Sequence, residues 1–418
     1  MPMYGNHGIL RTVAALGVLA CFLPGCQGLL PWRAAAVDAP APAAGGIVFD
    51  AAEVLPAEQR RGTGYIVAPR VPVVDLDFSF RIRTRFGTIP AQGRNMLELR
   101  LYEVRCIEQA AQIRGVRKVL EGMFGALDET VEGAETLLTD PVGSLERAPK
   151  GLERMVRGKL DYATRRAGSP ERRQLAVSLG CDPETRNPIL KRMLDEIELQ
   201  RMIGSLPVQF IPYTGIFRLT ADIKDEVAST PPHEINQRIE TELAGCGVAE
   251  GLRRGFCRSK HFTAVQRLVL MKHYRELSRV RNRDALLELA VEGDSEADAL
   301  GAIEVGQALA RLQAQRPLAG LGRRGLAIAG VRDLPIAVLE DGRHLIYAPY
   351  DCIVGTEQVD RAVTGYRAAC PSQPTTLICS GRAMPDARRV LEAARIAVQE
   401  GARSNSEPSP GEQQGLGP

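Results

Sequence analysis

The stretch Leu76 to Phe86, LDFSFRIRTRF, sets Leu76, Phe78, Phe80, Ile82 and Phe86 on one side of an extended chain and Asp77, Ser79, Arg81, Arg83 and Arg85 on the other. Side chains of a strand alternate between its two faces, so this period-two pattern predicts a half-buried β-strand with an apolar inner face and an Arg-rich outer face. The β reading extends back to about residue 65. A strand of this length could also cross an outer membrane in a barrel, but a barrel needs many such segments and the sequence offers one.

Downstream the apolar period changes from two to between three and four. Asn95 and Glu98 stand in the spacing of a capping pair, and Leu97, Leu101, Val104 and Ile107 recur as one helical face, followed beyond Gly115 by Val116, Val119, Leu120 and Met123. Two amphipathic stretches lie between residues 129 and 166, broken at Asp140-Pro141. Asn187-Pro188 reads as an N-cap with proline in the first helical position, and Ile189, Leu190, Met193, Leu194, Ile197 and Met202 form the buried stripe of that helix. A further helix follows Ser229-Thr230-Pro231-Pro232 and ends near Leu243; Phe262 to Val280 and Ser295 to Gln315 read as a helical pair. After Pro317 the runs are short and apolar or alternating, with Asp341-Gly342 as a hairpin signal, Thr375 to Ser380 as a strand, and a helix from about Pro385 to Gln399.

These readings predict an α+β, predominantly helical fold, made of an N-terminal strand segment, a central α-helical region and a small C-terminal α/β unit. The expected boundaries are a signal peptide over 1–25, a lipidated N-terminus and tether over 26–60, a mainly helical domain with its β segment over 61–316, the α/β unit over 317–400, and a disordered tail over 401–418.

The N-terminus decides the expected location. A single cation, Arg11, precedes the apolar run Thr12 to Leu23, TVAALGVLACFL, and Pro24-Gly25-Cys26 follow. An apolar run this short behind a positive charge has the form of an export signal, whereas a membrane-spanning helix needs about 20 apolar residues. Leu23-Pro24-Gly25-Cys26 resembles the lipobox of the bacterial lipoprotein class. In that class cleavage leaves the Cys as the new N-terminus carrying acyl chains, which implies lipidation of Cys26 and attachment to the membrane through it. Pro24 departs from the usual small residue; Val18-Leu19-Ala20-Cys21 is a competing site, and cleavage after Ala34-Ala35-Ala36 would give a secreted or soluble periplasmic protein instead. Gln27 stands where an Asp would favour inner-membrane retention, so the resemblance implies the periplasmic face of the outer membrane. Residues 33 to 46, RAAAVDAPAPAAGG, are too poor in large apolar side chains to build a core and suit a spacer.

Charge says little about a ligand. The chain has 418 residues with 53 Lys+Arg against 50 Asp+Glu, a net +3, and 46 of the bases are Arg against 7 Lys. A near-balance with interleaved signs does not fit a nucleic-acid binder, which concentrates its basic residues in one patch. Apolar residues make up 44%, which excludes wholesale disorder.

No motif identifies a reaction. Gly320-Leu321-Gly322-Arg323-Arg324-Gly325 fits G-x-G-x-x-G, but a helix precedes it and a strand follows, the reverse of the dinucleotide fingerprint. His233, His261, His273 and His344 lack metal-site spacing, and neither a metal nor a cofactor is expected. Ser380-Gly381-Arg382 turns a strand toward a helix, a geometry that can hold an anion, but Asp386 in the first helical turn opposes one. Beyond the signal region lie Cys106, Cys181, Cys246, Cys257, Cys352, Cys370 and Cys379; none is in C-x-x-C, and Cys246 with Cys257 is the expected disulfide in an oxidising compartment. The expected role is therefore a non-enzymatic structural or interaction protein with an envelope protein as partner. The alternative is a periplasmic hydrolase assembled from distant residues, with His344, Asp351 and His273 as candidates.

Overall fold

Strand β5 (Asp77–Thr84) buries alternate residues, Phe78, Phe80 and Ile82 being at most 1% exposed, as the period-two pattern requires. The computed structural model describes residues 46–112, 116, 120, 169–199, 220–322, 327–328 and 332–401, all within one compact unit that spans 42–418. The expected signal peptide and most of the tether, the helices over 129–166 and the C-terminal tail lie outside the described residues.

The N-terminal β segment is larger than predicted. Strands β1 (Val48–Asp50), β2 (Arg61–Gly62), β3 (Tyr65–Val67), β4 (Arg70–Val74) and β6 (Gly87–Gln92) join β5 in a six-stranded antiparallel sheet. One edge of β5 carries β6, with Phe80 opposite Ala91; the other is shared by β4 at its start and β3 at its end. Short helices α1 (Ala51–Val54) and α2 (Ala57–Arg60) fill the connection from β1 to β2. The expectation of a predominantly helical chain with one N-terminal strand segment is thus corrected: 52% of the described residues are helical, 21% are strand, and β5 is the centre of a full sheet. The reason is legible in the partners. They are two to six residues long and interrupted by Gly62, Gly64, Pro69, Pro72 and Pro90, so none carries a sustained alternation.

The apolar face of this sheet packs on α3 (Arg94–Ala111), whose Leu97, Leu101, Val104 and Ile107 are at most 3% exposed. The helices that follow are α4 (Pro170–Ser178), α5 (Pro188–Leu199), α6 (Ala221–Ser229), α7 (Pro232–Gly245), α8 (Glu250–Arg258), α9 (Ala264–Glu276), α10 (Ala285–Glu292) and α11 (Glu296–Gln315). Asn187 caps α5 as predicted, its Oδ1 accepting from Ile189 N at 3.1 Å and Leu190 N at 3.3 Å. Helix α9 is the central one: ten of its residues are buried, including Gln266, Arg267 and His273. It lies close against α11 at Gly306, where a Cβ would come within 3.1 Å of Leu270 and 3.2 Å of Leu286. Helices α6, α8 and α10 fill segments the sequence left as connections.

The C-terminal region is a five-stranded mixed sheet. Strands β7 (Leu318–Gly322), β10 (Ile336–Leu339) and β11 (His344–Ala348) are antiparallel; β13 (Thr375–Cys379) and β15 (Ile396–Gln399) continue parallel to β11. The parallel steps are made by α12 (Glu357–Ala369) and α13 (Pro385–Ala393), as strands of the same direction require a crossover. Two small ladders complete it, β8 (Ala327–Ile328) with β9 (Arg332–Asp333) and β12 (Cys352–Ile353) with β14 (Arg382–Ala383). Gly320 and Gly322 of the G-x-G-x-x-G stretch lie in β7, paired with Val338 and Ile336. The helix expected over Pro385 to Gln399 ends at Ala393, where Arg395 takes φ 57° and turns the chain into β15.

Candidate functional site

Among the described residues, a concentration of buried ionisable groups is built around the segment from Cys181 to Asn187. Helix α4 ends in a Schellman turn: Gly180 takes φ 80°, its N–H donates to Val177 O at 3.0 Å, and Cys181 N donates to Ala176 O at 2.8 Å. The reversal sends CDPETRN into the interior, where Asp182, Thr185 and Asn187 are each at most 8% exposed. Asp182 Oδ1 accepts from Glu184 N at 2.8 Å and Oδ2 from Thr263 Oγ1 at 2.5 Å. Glu184 Oε2 accepts from Ala264 N at 2.6 Å. Both carboxylates therefore sit at the N-terminus of α9, where unpaired N–H groups and the helix dipole favour negative charge.

Helices α3 and α11 supply the rest. Arg100 pairs with Glu103 at 2.8 Å and with Glu296, while Glu103 also accepts from Thr185 Oγ1. Gln266 Nε2 reaches Glu296 Oε1 at 3.5 Å. Burial alone would depress the Arg100 pKa, but the Glu103 and Glu296 charges raise it. Asp182 has no such compensation. Burial, reinforced by the charges of Glu184 and Glu296, pushes its carboxyl up to about 7, against the hydrogen bonds from Thr263 and Glu184 N–H. The arrangement can therefore take up one proton as the pH falls through neutrality.

A second polar junction ties the N-terminal sheet to the C-terminal one. Asp351 Oδ2 accepts from Arg94 N at 2.9 Å and Phe78 N at 3.2 Å, and Asp351 N donates to Asp77 Oδ1 at 3.2 Å. Helix α3 was expected to open at Asn95 with Glu98 as its capping partner; instead Gly93 is the N-cap residue without a side-chain bond, and the carboxylate that serves the first helical N–H is Asp351. Asn95 is used elsewhere, its Nδ2 donating to Glu304 Oε2 at 2.5 Å while Tyr347 Oη donates to Glu304 Oε1 at 2.8 Å.

The residues proposed for a hydrolase are not brought together. His344 Nδ1 bonds Tyr366 Oη at 2.9 Å, and that hydroxyl meets Thr375 Oγ1 at 2.8 Å. His344 starts β11 and Asp351 follows its far end, so the strand separates them. His273 Nδ1 bonds Glu276 Oε2 at 3.0 Å on α9, and burial lowers the His273 pKa. His233 lies 3.9 Å from Glu234 on an exposed surface. Asp386 Oδ1 accepts from Ala387 N at 2.8 Å, within the first turn of α13.

All seven described cysteines are free thiols. Cys246 is the exposed C-cap of α7, whereas Cys257 is buried on α8, so the ten residues between them are largely helix and not the loop the spacing suggested. Burial pushes the Cys257 and Cys352 thiols up to about 11 and Cys379 up to about 12. Cys106 and Cys181 are 0% and 2% exposed, and the neighbouring Cys106 thiol raises the Cys181 pKa. Cys26 lies outside the described residues. Among the described residues no group of three or more His, Cys, Asp or Glu is placed to hold a metal ion, and no helix is long and apolar enough to cross a membrane.

Sequence reasoning singled out only the two ends of the Cys181 to Asn187 segment, Cys181 among the cysteines and Asn187 as an N-cap, and passed over what lies between. The available signal was the density of hydrogen-bonding side chains in Asp182-Pro183-Glu184-Thr185, directly after α4; its partners are 81 and 80 positions away at Thr263 and Ala264 and could not be read. No family model, curated protein or solved structure matches this chain.

Proposed function

We propose that the protein is an exported, lipid-anchored component of a bacterial cell envelope that holds a rigid, non-enzymatic domain on the periplasmic face of the outer membrane and presents it to a protein partner. The observation that carries this reading is the apolar run Thr12 to Leu23 followed by Leu23-Pro24-Gly25-Cys26. The position of the first strand supports it. Strand β1 begins at Val48, 22 residues after Cys26, and a chain of that length reaches at most roughly 75 Å, enough to hold a domain clear of a lipid surface. The non-enzymatic part rests on how the candidate groups are used. The Asp351 carboxylate holds the N-terminus of α3, His344 is engaged by Tyr366, and His273 by Glu276.

Membrane fractionation tests the anchor. In cells expressing the full chain, wild type should sediment with the outer membrane and Cys26→Ser should move to the soluble periplasmic fraction or stay unprocessed. Wild type found wholly soluble, or Cys26→Ser distributed as wild type, would sink the reading.

A further inference from the structure

Tyr102 and Cys106 stand four residues apart on α3 and therefore on one face of it. Tyr102 Oη donates to Gly180 O at 2.8 Å, which brings the residue after Gly180 against the next turn of the helix. That residue is Cys181, buried like Cys106, and the neighbouring Cys106 thiol holds its pKa up. The approach is fixed from three sides. The Schellman turn of α4 sets the Cys181 backbone, the Tyr102 bond lies on one side, and on the other Thr185 reaches Glu103, one turn before Cys106 on α3. We propose that Cys106 and Cys181, free thiols in this structure, are oxidised to a disulfide that locks the Cys181 to Asn187 segment onto α3.

The bond forms by thiol–disulfide exchange with a low-molecular-weight or protein disulfide as oxidant. One thiolate attacks a sulfur of that disulfide and releases a thiol; the second thiolate then attacks the mixed disulfide, forms the Cys106–Cys181 bond and releases the other thiol. Two electrons pass from the pair to the oxidant, which leaves as two thiols carrying the two protons. Both sulfurs are enclosed in the folded protein, so the reaction belongs to folding, before α3 and α4 close over them. The two positions are 75 apart in sequence, so the crosslink restricts a long segment of the unfolded chain. The proposal goes beyond the envelope reading and does not depend on it, because it is tested with purified protein.

The test is to unfold the full chain in denaturant with reductant and refold it in a mixture of oxidised and reduced glutathione. The soluble folded fraction is alkylated, digested with trypsin without reduction and mapped by mass spectrometry. Cleavage after Arg105, Arg114, Arg173 and Arg186 gives peptides 106–114 and 174–186. The expected result is these two peptides linked in most molecules, and the oxidised protein melting on the order of 5 °C above the same protein refolded in reductant. In Cys106→Ala, the peptide 174–186 should be recovered alkylated. Recovery of both peptides alkylated from wild type, or of Cys181 linked to another cysteine at comparable yield, would overturn the proposal. Because the mapping uses wild type, it stands even if the variant does not fold.

Discussion

Replacing Asp182 by Asn tests whether the buried cluster titrates near neutrality. The Asp182 carboxyl is pushed from 3.8 to about 7 in the folded protein. Because the folded-state pKa lies above the unfolded one, the folded chain holds the extra proton between about pH 4 and pH 7, and stability falls as the pH rises through that window. Each unit of difference corresponds to about 1.4 kcal/mol, so the loss is on the order of 4 kcal/mol by pH 8, an upper bound once the site relaxes. Asn cannot ionise. Its amide can donate to Thr263 Oγ1 while its carbonyl accepts from Glu184 N, as a protonated Asp182 would. The assay is urea unfolding of wild type and Asp182→Asn at pH 4.5, 6 and 8, where the difference between the two isolates this group from every other titration. The two should be near equal at pH 4.5, and the variant should be more stable by a few kcal/mol at pH 8. A difference that stays flat with pH, or a variant weaker by the same amount throughout, would show that the carboxylate is charged and needed as such at the α9 N-terminus.

Two further substitutions probe the junction between the sheets. Asp351→Ala removes the acceptor shared by Arg94 N and Phe78 N, and the carboxylate 3.9 Å from the Arg94 guanidinium, and should cost about 3 kcal/mol by chemical denaturation; a loss below about 1 kcal/mol would mean water replaces the carboxylate. At Gly381 a Cβ would lie 1.9 Å from Asp351 O, a backbone atom that cannot step aside. Gly381→Ala should therefore lower the melting temperature by more than 5 °C or prevent folding, whereas Gly365→Ala, where a Cβ meets nothing within 4 Å, should leave it unchanged or raise it slightly.

How much of this was legible follows the range of the interactions. The inner face of β5 and the α5 cap at Asn187 are local patterns, and the sequence predicts both. The strands around β5 are too short and too broken by Gly and Pro to show a period, and they exist because β5 offers two open edges. The parallel half of the C-terminal sheet was hidden for a related reason: α12 and β15 carry weak signals singly, and the crossover topology is what makes them fit. The α3 start was misplaced at Asn95 because its capping carboxylate is Asp351, 257 positions away. The same holds for the polar cluster, where Glu103, Asp182, Thr263 and Glu296 come from four separate segments. Asp351 illustrates the limit of residue-type reasoning: an acid near a His in sequence suggested chemistry, and the fold uses it to join two sheets.

The proposed envelope role rests on a lipid at Cys26, and the chemistry of the mature N-terminus decides it. Cells expressing the full chain are grown with radioactive palmitate, and the protein is purified, counted and sequenced by mass spectrometry from its N-terminal peptide. The account predicts a labelled protein that begins at Cys26, with the label lost in Cys26→Ser. An unlabelled wild-type protein, or one that begins after Ala36 or retains residues 1–25, would contradict it.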